Sequence, residues 1–312
     1  MTSSLTKTGR KADQEAALDD GDVSAAVDTV PATEAEAALV ETIIRPTSGW
    51  RLVNLAEFWR YRELLYFLTW RDVKVRYKQT VLGALWAILQ PVMTMIVFTI
   101  FFGRLGGMDK NEHVTAAYPI FVYAALLPWQ FFASSVTQGG QSLVSSANLI
   151  GKVYFPRLII PVASVGAGLV DFAISFGVML CLMVAYGVPF TMQLLALPLC
   201  VVATLISAVG VGTFLSALTV AFRDFRYVIP FMVQIWMFAS PVAYPFEAIP
   251  EKWRLLYALN PMAGIISGYR SALLGEPFHW GPFGVSLLVA TLMLVIGTFY
   301  FRRVERRFAD IV

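Results

Sequence analysis

The sequence predicts an all-α integral membrane protein with six transmembrane helices per protomer, an N-terminal amphipathic interfacial helix, and re-entrant or interfacial helices between spans five and six. Three observations predict this fold. Of the 312 residues, 57% are hydrophobic and only 14% are charged, with a mean hydropathy of +0.65, whereas soluble domains are about 45–50% apolar and about 25% charged. Six long apolar stretches follow one another, and lysine and arginine concentrate in alternate connections between them.

Residues 1–46 differ in composition from the rest of the chain. They hold four basic and nine acidic side chains and no aromatic residue, so they carry a formal charge of −5, whereas residues 47–312 carry +8. Such a segment buries too little apolar surface to offset the entropy lost on folding. It also lacks the basic start and apolar run of a secretory signal. We therefore predict a disordered acidic tail over 1–46.

Residues 47–82 combine an amphipathic helix with a basic stretch. Asn54 and Glu57 have the spacing of a helix cap with its reciprocal acid. Apolar side chains then recur every three or four residues, at Phe58, Tyr61, Leu65 and Leu68. Four basic side chains follow at Arg71, Lys74, Arg76 and Lys78. This pattern predicts a helix that lies at the membrane surface.

Six apolar stretches in residues 83–312 are long enough to cross a membrane, which takes about 20 residues. They are Gly83–Gly103, Tyr118–Val136, Leu158–Val188, Leu194–Phe222, Tyr227–Phe246 and Pro282–Phe301. The fifth stretch contains three prolines. Leu255–Tyr269 is too short and contains Pro261, so we predict a re-entrant or interfacial segment that packs against protein.

The distribution of basic residues predicts the orientation. With six spans both termini lie on one side, and that side holds 15 of the 20 basic residues in 47–312. Because cytoplasmic connections carry the excess of lysine and arginine, both termini are predicted to be cytoplasmic. Counting Leu255–Tyr269 as a seventh span would export the four C-terminal arginines, which argues against it.

Asp171 is the one ionisable residue deep inside a predicted span. A charge at that depth costs about 2.5–3.5 kcal/mol on insertion scales, so the side chain is expected to face the bundle interior. It could relay protons in a proton-coupled carrier. No second acid, histidine or lysine lies at similar depth, which favours a structural hydrogen-bonding role.

Two connections between spans have alternative readings. The segment 137–157 could form a short amphipathic helix that docks on a cytoplasmic partner, or an ordinary loop helix lying on the bilayer. The segment 241–281 on the opposite side is rich in aromatic residues and proline. Its aromatic residues could form an interfacial belt or an exit gate whose rings stack on sugars.

No nucleotide or metal site is evident in the sequence. The one Gly-Lys pair, Gly151-Lys152, lacks the remaining residues of a phosphate-binding loop, and the chain has only two histidines and two cysteines. If the protein moves a substrate uphill, the ATPase must be another chain. No cofactor is therefore expected on this chain; ATP and Mg²⁺ would bind the partner.

Several motifs, in topological order, resemble those of type-2 ABC exporter permeases for polysaccharides, the O-antigen and teichoic-acid exporters. The run RDVKVRYKQTVLGALWAILQP, Arg71 to Pro91, is similar to their signature before the first span. Tyr154-Phe155-Pro156-Arg157, Arg223-Asp224 and Ser240-Pro241 are similar to later motifs. The resemblance covers residues 50–312, which leaves the acidic tail outside the family pattern.

The resemblance implies a homodimer that binds two copies of a cytoplasmic ATPase and exports a glycan linked to polyprenyl pyrophosphate through the bacterial cytoplasmic membrane. Membrane lipids and the lipid-linked glycan are the further partners, and nucleic acid is not one. Residues 47–82 would contain a gate helix, 83–312 the permease domain, 137–157 the coupling helix and 241–281 the outer gate. A lipid-linked galactan is one candidate cargo.

Within this framework three residue sets are candidates. The pyrophosphate group needs cations and donors, so Arg71, Lys74, Arg76 and Lys78 are candidates for the lipid head group, although anchoring to anionic lipid would explain the same residues. Candidates for stacking on sugars in the channel are Trp86, Tyr118, Phe121, Trp129, Trp236 and Tyr244. Candidates for ATPase coupling are Asn148, Leu149, Lys152, Tyr154 and Arg157.

The alternative functions are a permease of the same fold for a drug or simple lipid, and a proton-coupled carrier that uses Asp171.

Overall fold

The computed structural model describes residues 55–78, 83, 85–112, 114 and 116–305. This part of the chain is helical and contains no strand. The helices are α1 (Leu55–Arg60), α2 (Arg62–Lys78), α3 (Leu85–Phe98), α4 (Tyr118–Ser145), α5 (Ala147–Ile150), α6 (Ile159–Ala185), α7 (Leu197–Ala221), α8 (Phe225–Phe238), α9 (Glu251–Tyr257), α10 (Pro261–Leu274) and α11 (Trp280–Glu305). The predicted acidic tail and the Asn54 cap lie outside the described residues.

Five helical segments of the described chain are long and apolar enough to cross a membrane. They are α3 with its π-helical continuation to Leu105, α4, α6, α7 with the 3₁₀ turn that starts at Met192, and α11. These segments coincide with five of the six predicted spans, so the chain is a multi-pass membrane protein.

The predicted fifth span, Tyr227–Phe246, contains a shorter helix than expected. α8 has 14 residues, about 21 Å at 1.5 Å per residue, whereas the hydrocarbon core is about 30 Å thick. The helix ends at Phe238 and the next residues form turns around Pro241 and Pro245. Proline supplies no N–H for a helical hydrogen bond, which explains the early end. Helix α8 alone is therefore too short to count as the sixth span, and the described chain shows five helical segments of sufficient length.

Helix α4 occupies the centre of the described bundle. Nearly every residue from Tyr118 to Trp129 is buried, and the helix packs against α3, α6, α7, α8 and α10. It also continues to Ser145, nine residues past the predicted end of the span. Hydropathy marks where a helix leaves the apolar layer, whereas the helix itself continues until its hydrogen-bonding pattern is interrupted.

Glycines permit the closest approaches between helices. A Cβ atom at Gly297 of α11 would lie 2.4 Å from the carbonyl oxygen of Gly210 on α7, and one at Gly264 of α10 would lie 2.3 Å from the carbonyl oxygen of Pro282. Any larger side chain would force these backbones apart. Close backbone contact at small residues is a common way for membrane helices to associate.

Helix α2 lies against the bundle along α6. Leu68 is buried at 2% exposure, and Phe58, Tyr61 and Leu65 pack beside it, as the predicted stripe requires. They meet the ends of several helices in one apolar cluster that includes Leu143, Phe155, Leu158, Val220 and Phe301. The opposite face of α1 and α2 leaves four aromatic side chains exposed, Trp59, Tyr66, Phe67 and Trp70.

The segment predicted to be re-entrant forms two helices, α9 and α10. Helix α10 is buried along its whole length from Pro261 to Leu273. Asn260 caps it by accepting a hydrogen bond from the backbone N–H of Met262 at 3.0 Å. The second half of the predicted segment is therefore packed against protein on every side.

Candidate functional site

A cavity of about 260 Å³ with a mixed polar and apolar lining lies where the C-terminal end of α2 meets α3, α4 and α6. Polar side chains from all four helices line it: Arg76, Tyr77, Gln90, Gln130, Ser134, Gln138, Asp171 and Ser175. Its apolar wall includes Trp86, Leu127, Phe131 and Phe172. Most of these polar groups lie on the apolar helices α3, α4 and α6, and their concentration there marks this cavity as the principal candidate site in the described chain.

Helix α4 contributes a stripe of polar side chains to the cavity. Gln130, Ser134 and Gln138 are four residues apart, so they lie on one face of the helix. The Gln90 amide on α3 donates to the Gln130 Oε1 atom at 3.4 Å. Amides are costly to expose to lipid, and placing them around a cavity removes that cost. The spacing is visible in the sequence but was not recognised there as a site.

Asp171 joins α2 to the bundle. Its Oδ2 atom accepts a hydrogen bond from Arg76 and its Oδ1 atom accepts one from Tyr77, both on α2. Arg76 also donates to the side-chain oxygen of Gln138. The pair is only partly exposed, at 24% for the Arg76 side chain and 27% for that of Asp171. The acid therefore faces protein, as predicted, and both of its oxygens are used in a structural contact.

Tyr77 completes this cluster as a neutral donor. Partial burial raises the pKa of its hydroxyl above the usual value, and the hydrogen bond to Asp171 raises it further. The phenol thus stays protonated at physiological pH and donates to the carboxylate.

The four predicted head-group residues have different surroundings. Arg76 is engaged with Asp171, and Arg71 pairs with the adjacent Asp72 at 2.8 Å. Lys74 and Lys78 are exposed. Among these four, the two lysines are the most accessible cations, and their role at the head group stays a prediction.

The six predicted channel aromatics do not share one surface of the protomer. Tyr118, Phe121 and Trp129 lie in the interior, exposed by 4%, 1% and 2%. Trp86 is 52% exposed beside the cavity. Trp236 and Tyr244 are partly buried; their polar atoms bond to Asn260 at 3.0 Å and to the Tyr257 hydroxyl at 2.8 Å. Only Trp86 combines large exposure with a position at the cavity, and the channel role of the set stays a prediction.

A buried arginine organises the predicted outer gate. Arg270 of α10 is 3% exposed and donates to the carbonyl oxygens of Val242 at 2.8 Å and Tyr244 at 3.0 Å. Its guanidinium lies 3.6 Å from the ring centre of Phe121 on α4. These contacts hold the turn after α8 against α4. No sequence pattern identifies Arg270 as an organising residue, because its acceptors are backbone carbonyls.

The predicted coupling segment forms an exposed tip with an anchored base. α5 and the following turn present Asn148, Lys152, Val153 and Tyr154 at the surface, with Tyr154 71% exposed. Leu149 packs into the apolar cluster around Leu68, and the Arg157 guanidinium donates to the carbonyl oxygen of Glu305 at 3.0 Å. The five predicted residues thus divide into three on the surface and two that hold the base.

The sequence pattern of the ABC-2 type transporter family matches residues 63–274, which include the cavity and the tip. The chain belongs to the ABC-2 type transporter family. It is 34% identical to an O-antigen export system permease of Myxococcus xanthus over 71% of this chain and 83% of that protein. It is 28% identical to an O-antigen export system permease of Klebsiella pneumoniae, over 80% and 95%, and 24% identical to a polysialic acid transport protein of Escherichia coli, over 65% and 78%.

As an ABC-2 permease, the chain is the transmembrane subunit of an ABC exporter. Permeases of this family generally work with a cytoplasmic ATPase, which agrees with the absence of a phosphate-binding loop from the sequence. The resemblance to polysaccharide exporter permeases is confirmed by the family match and by these relatives.

Proposed function

We propose that this permease exports a polysaccharide linked to polyprenyl pyrophosphate across the bacterial cytoplasmic membrane, driven by ATP hydrolysis on a separate subunit. The observation that carries the proposal is the 34% identity to an O-antigen permease over most of both chains. An O-antigen-like, teichoic-acid-like or galactan-like glycan would suit the proposal equally.

The proposed assembly is a homodimer with two ATPase copies. Two helices bear an exposed apolar face: α3 with Met93 and Val97, continued by Phe101 on its π-helical extension, and α8 with Phe231 and Ile235. A second protomer or lipid would cover these faces. The exposed tip at 148–154 is the proposed ATPase contact, because its anchored base would transmit a movement to α4 and α6.

In the proposed mechanism, ATP-driven movement at the tip opens a path for the glycan while the lipid head group stays at the cytoplasmic surface. Lys74 and Lys78 are available to attract the pyrophosphate. The buried network around Arg270 would control the exit by holding the turn after α8. No cofactor on this chain is required, since ATP and Mg²⁺ would bind the partner.

The alternative cargoes and mechanisms receive less support. A simple lipid would need few hydrogen-bonding partners, whereas three glutamines line this cavity beside its apolar wall. A proton-coupled carrier would need an acid free to exchange protons, whereas both oxygens of Asp171 are occupied by donors from α2.

Depletion of the protein tests the proposed function. Cells that lose it are expected to accumulate lipid-linked glycan on the cytoplasmic side, detectable by mass spectrometry of lipid extracts and by protection from an externally added glycosidase. Restoring the full chain should clear the material. If depleted cells accumulate no lipid-linked glycan, the proposal is wrong. Accumulation of a lipid without sugar would support the alternative cargo.

A further inference from the structure

The charges in the cavity between α2, α3, α4 and α6 decide which part of a substrate it suits. Arg76 and Asp171 are the charged side chains among its described lining residues, and they pair with each other. A pyrophosphate group needs cations that are not already neutralised, and the Asp171 carboxylate would repel it. The cavity therefore suits an uncharged polar group rather than the lipid head group.

The remaining polar groups have unused hydrogen-bonding capacity. Among the described residues, no acceptor faces the amide NH₂ of Gln130 or Gln138, and no donor faces the Oε1 atom of Gln90. A carboxamide can donate and accept at once. This combination matches hydroxyl groups, each of which also donates and accepts.

Trp86 supplies the complementary apolar surface. Its ring is 52% exposed and lies on α3, one turn before Gln90. A pyranose ring has one face of C–H groups and a rim of hydroxyls, so it fits between an indole ring and a row of amides. The volume of about 260 Å³ lies below the roughly 300–1,000 Å³ of pockets for drug-sized ligands, so one ring is accommodated rather than a chain.

We infer that the cavity between α2, α3, α4 and α6 is a binding site for a single sugar ring of the exported glycan. Gln90, Gln130 and Gln138 bind its hydroxyls, and Trp86 stacks on its C–H face. Arg76 holds Gln138 in place from the side, through its bond to Oε1, and is a positioning residue here. This inference rests on the proposed function, because it assigns a subsite for that cargo.

The test measures binding of the glycan itself. The probe is the glycan released by mild acid from the lipid-linked material of depleted cells, titrated against the full chain in lipid nanodiscs. Gln130→Leu removes one amide from the cavity. Within the described protein it removes only the long hydrogen bond from Gln90, so we expect the variant to fold. We expect it to bind the glycan about five-fold more weakly. Trp86→Leu changes an exposed ring and should weaken binding about ten-fold.

Gln141→Leu is the matched control. Gln141 lies on the same helix but outside the cavity, and its amide donates to the carbonyl oxygen of Arg226. It should bind the glycan like the wild-type chain. Equal glycan affinity for the wild-type chain, Gln130→Leu and Trp86→Leu overturns the inference, and so does competition by inorganic pyrophosphate at the same site. If depleted cells yield no lipid-linked glycan, the proposed function fails and the inference fails with it.

Discussion

At the scale of single residues, the contact between Arg76 and Asp171 accounts for a charge inside an apolar helix. An isolated carboxylate at that depth costs about 2.5–3.5 kcal/mol on insertion scales. Arg76 and Tyr77 both donate to it, which offsets part of that cost. The same bonds attach the C-terminal end of α2 to α6, so one acid fixes the surface helix to the bundle.

A double-mutant cycle is expected to reveal this attachment. Arg76→Gln and Asp171→Asn should each lower the stability of the full chain, because each leaves one charge without its partner. The double variant should be less destabilised than the two single effects added together, with a coupling energy of about 0.5–3 kcal/mol. Thermal unfolding in detergent measures all four proteins.

Transport assays on the same variants separate a structural role from a proton relay. A structural role predicts that the double variant recovers part of the export lost in either single variant. Complete loss of transport in Asp171→Asn with unchanged stability and ATPase association would instead support the proton-coupled carrier.

Asp171 was identifiable from the sequence because one charge in a long apolar stretch is conspicuous. Its partner was not, since Arg76 lies 95 residues away and the contact depends on how α2 packs along α6. The surroundings of the predicted channel aromatics were likewise not visible in the sequence. Tyr118 lies in the core of the protomer and Trp236 donates to Asn260, and their channel role stays a prediction.

At the scale of helices, hydropathy located the spans better than it located their ends. The α4 helix exceeds its apolar stretch because its polar continuation is also helical. The α8 helix is shorter than its apolar stretch because Pro241 and Pro245 follow it. Composition measures affinity for lipid, whereas helix ends depend on backbone hydrogen bonds and caps.

The crossing of α7 and α11 gives a testable requirement for glycine. Gly297→Ala would place a methyl group 2.4 Å from the Gly210 carbonyl oxygen, so we expect a loss of about 1–3 kcal/mol in stability from overpacking. Gly284→Ala on the same helix has no atom within 4 Å of the new Cβ and should be neutral or slightly stabilising. Thermal unfolding of the two variants gives the comparison, and equal midpoints would contradict this packing.

The exposed tip after α5 is expected to control association with the ATPase. Tyr154→Asp places a charge on a side chain that is 71% exposed, and it should reduce copurification of the ATPase ten-fold or more if the tip is a central contact. Tyr186→Asp, at the far end of α6 and 46% exposed, is the control and should copurify normally. Unchanged copurification in Tyr154→Asp would remove the tip from the interface.

At the scale of the whole molecule, the number of crossings depends on α8. Five helical segments have enough length to span, and with five crossings the two ends of the described chain would lie on opposite sides. The basic residues near the end of α11, among them Arg302 and Arg303, would then face outward. The lysine and arginine distribution disfavours that arrangement, and it favours a sixth crossing made by α8 together with the turns that follow it.

Cysteine labelling in intact cells distinguishes the two arrangements. In a chain with Cys181 and Cys200 replaced by alanine, single cysteines are introduced as Lys152→Cys, Lys252→Cys and Arg303→Cys. Six crossings predict that a membrane-impermeant maleimide labels only Lys252→Cys before lysis and all three afterwards. Five crossings, with α8 returning to its starting side, predict labelling of Arg303→Cys in intact cells while Lys252→Cys stays protected.

A short α8 can complete a crossing only if the polar backbone groups after Phe238 form hydrogen bonds within the protein. The bonds from Arg270 to Val242 and Tyr244, and from Asn260 to Ala239, satisfy part of it, which is the physical reason to expect the six-crossing pattern.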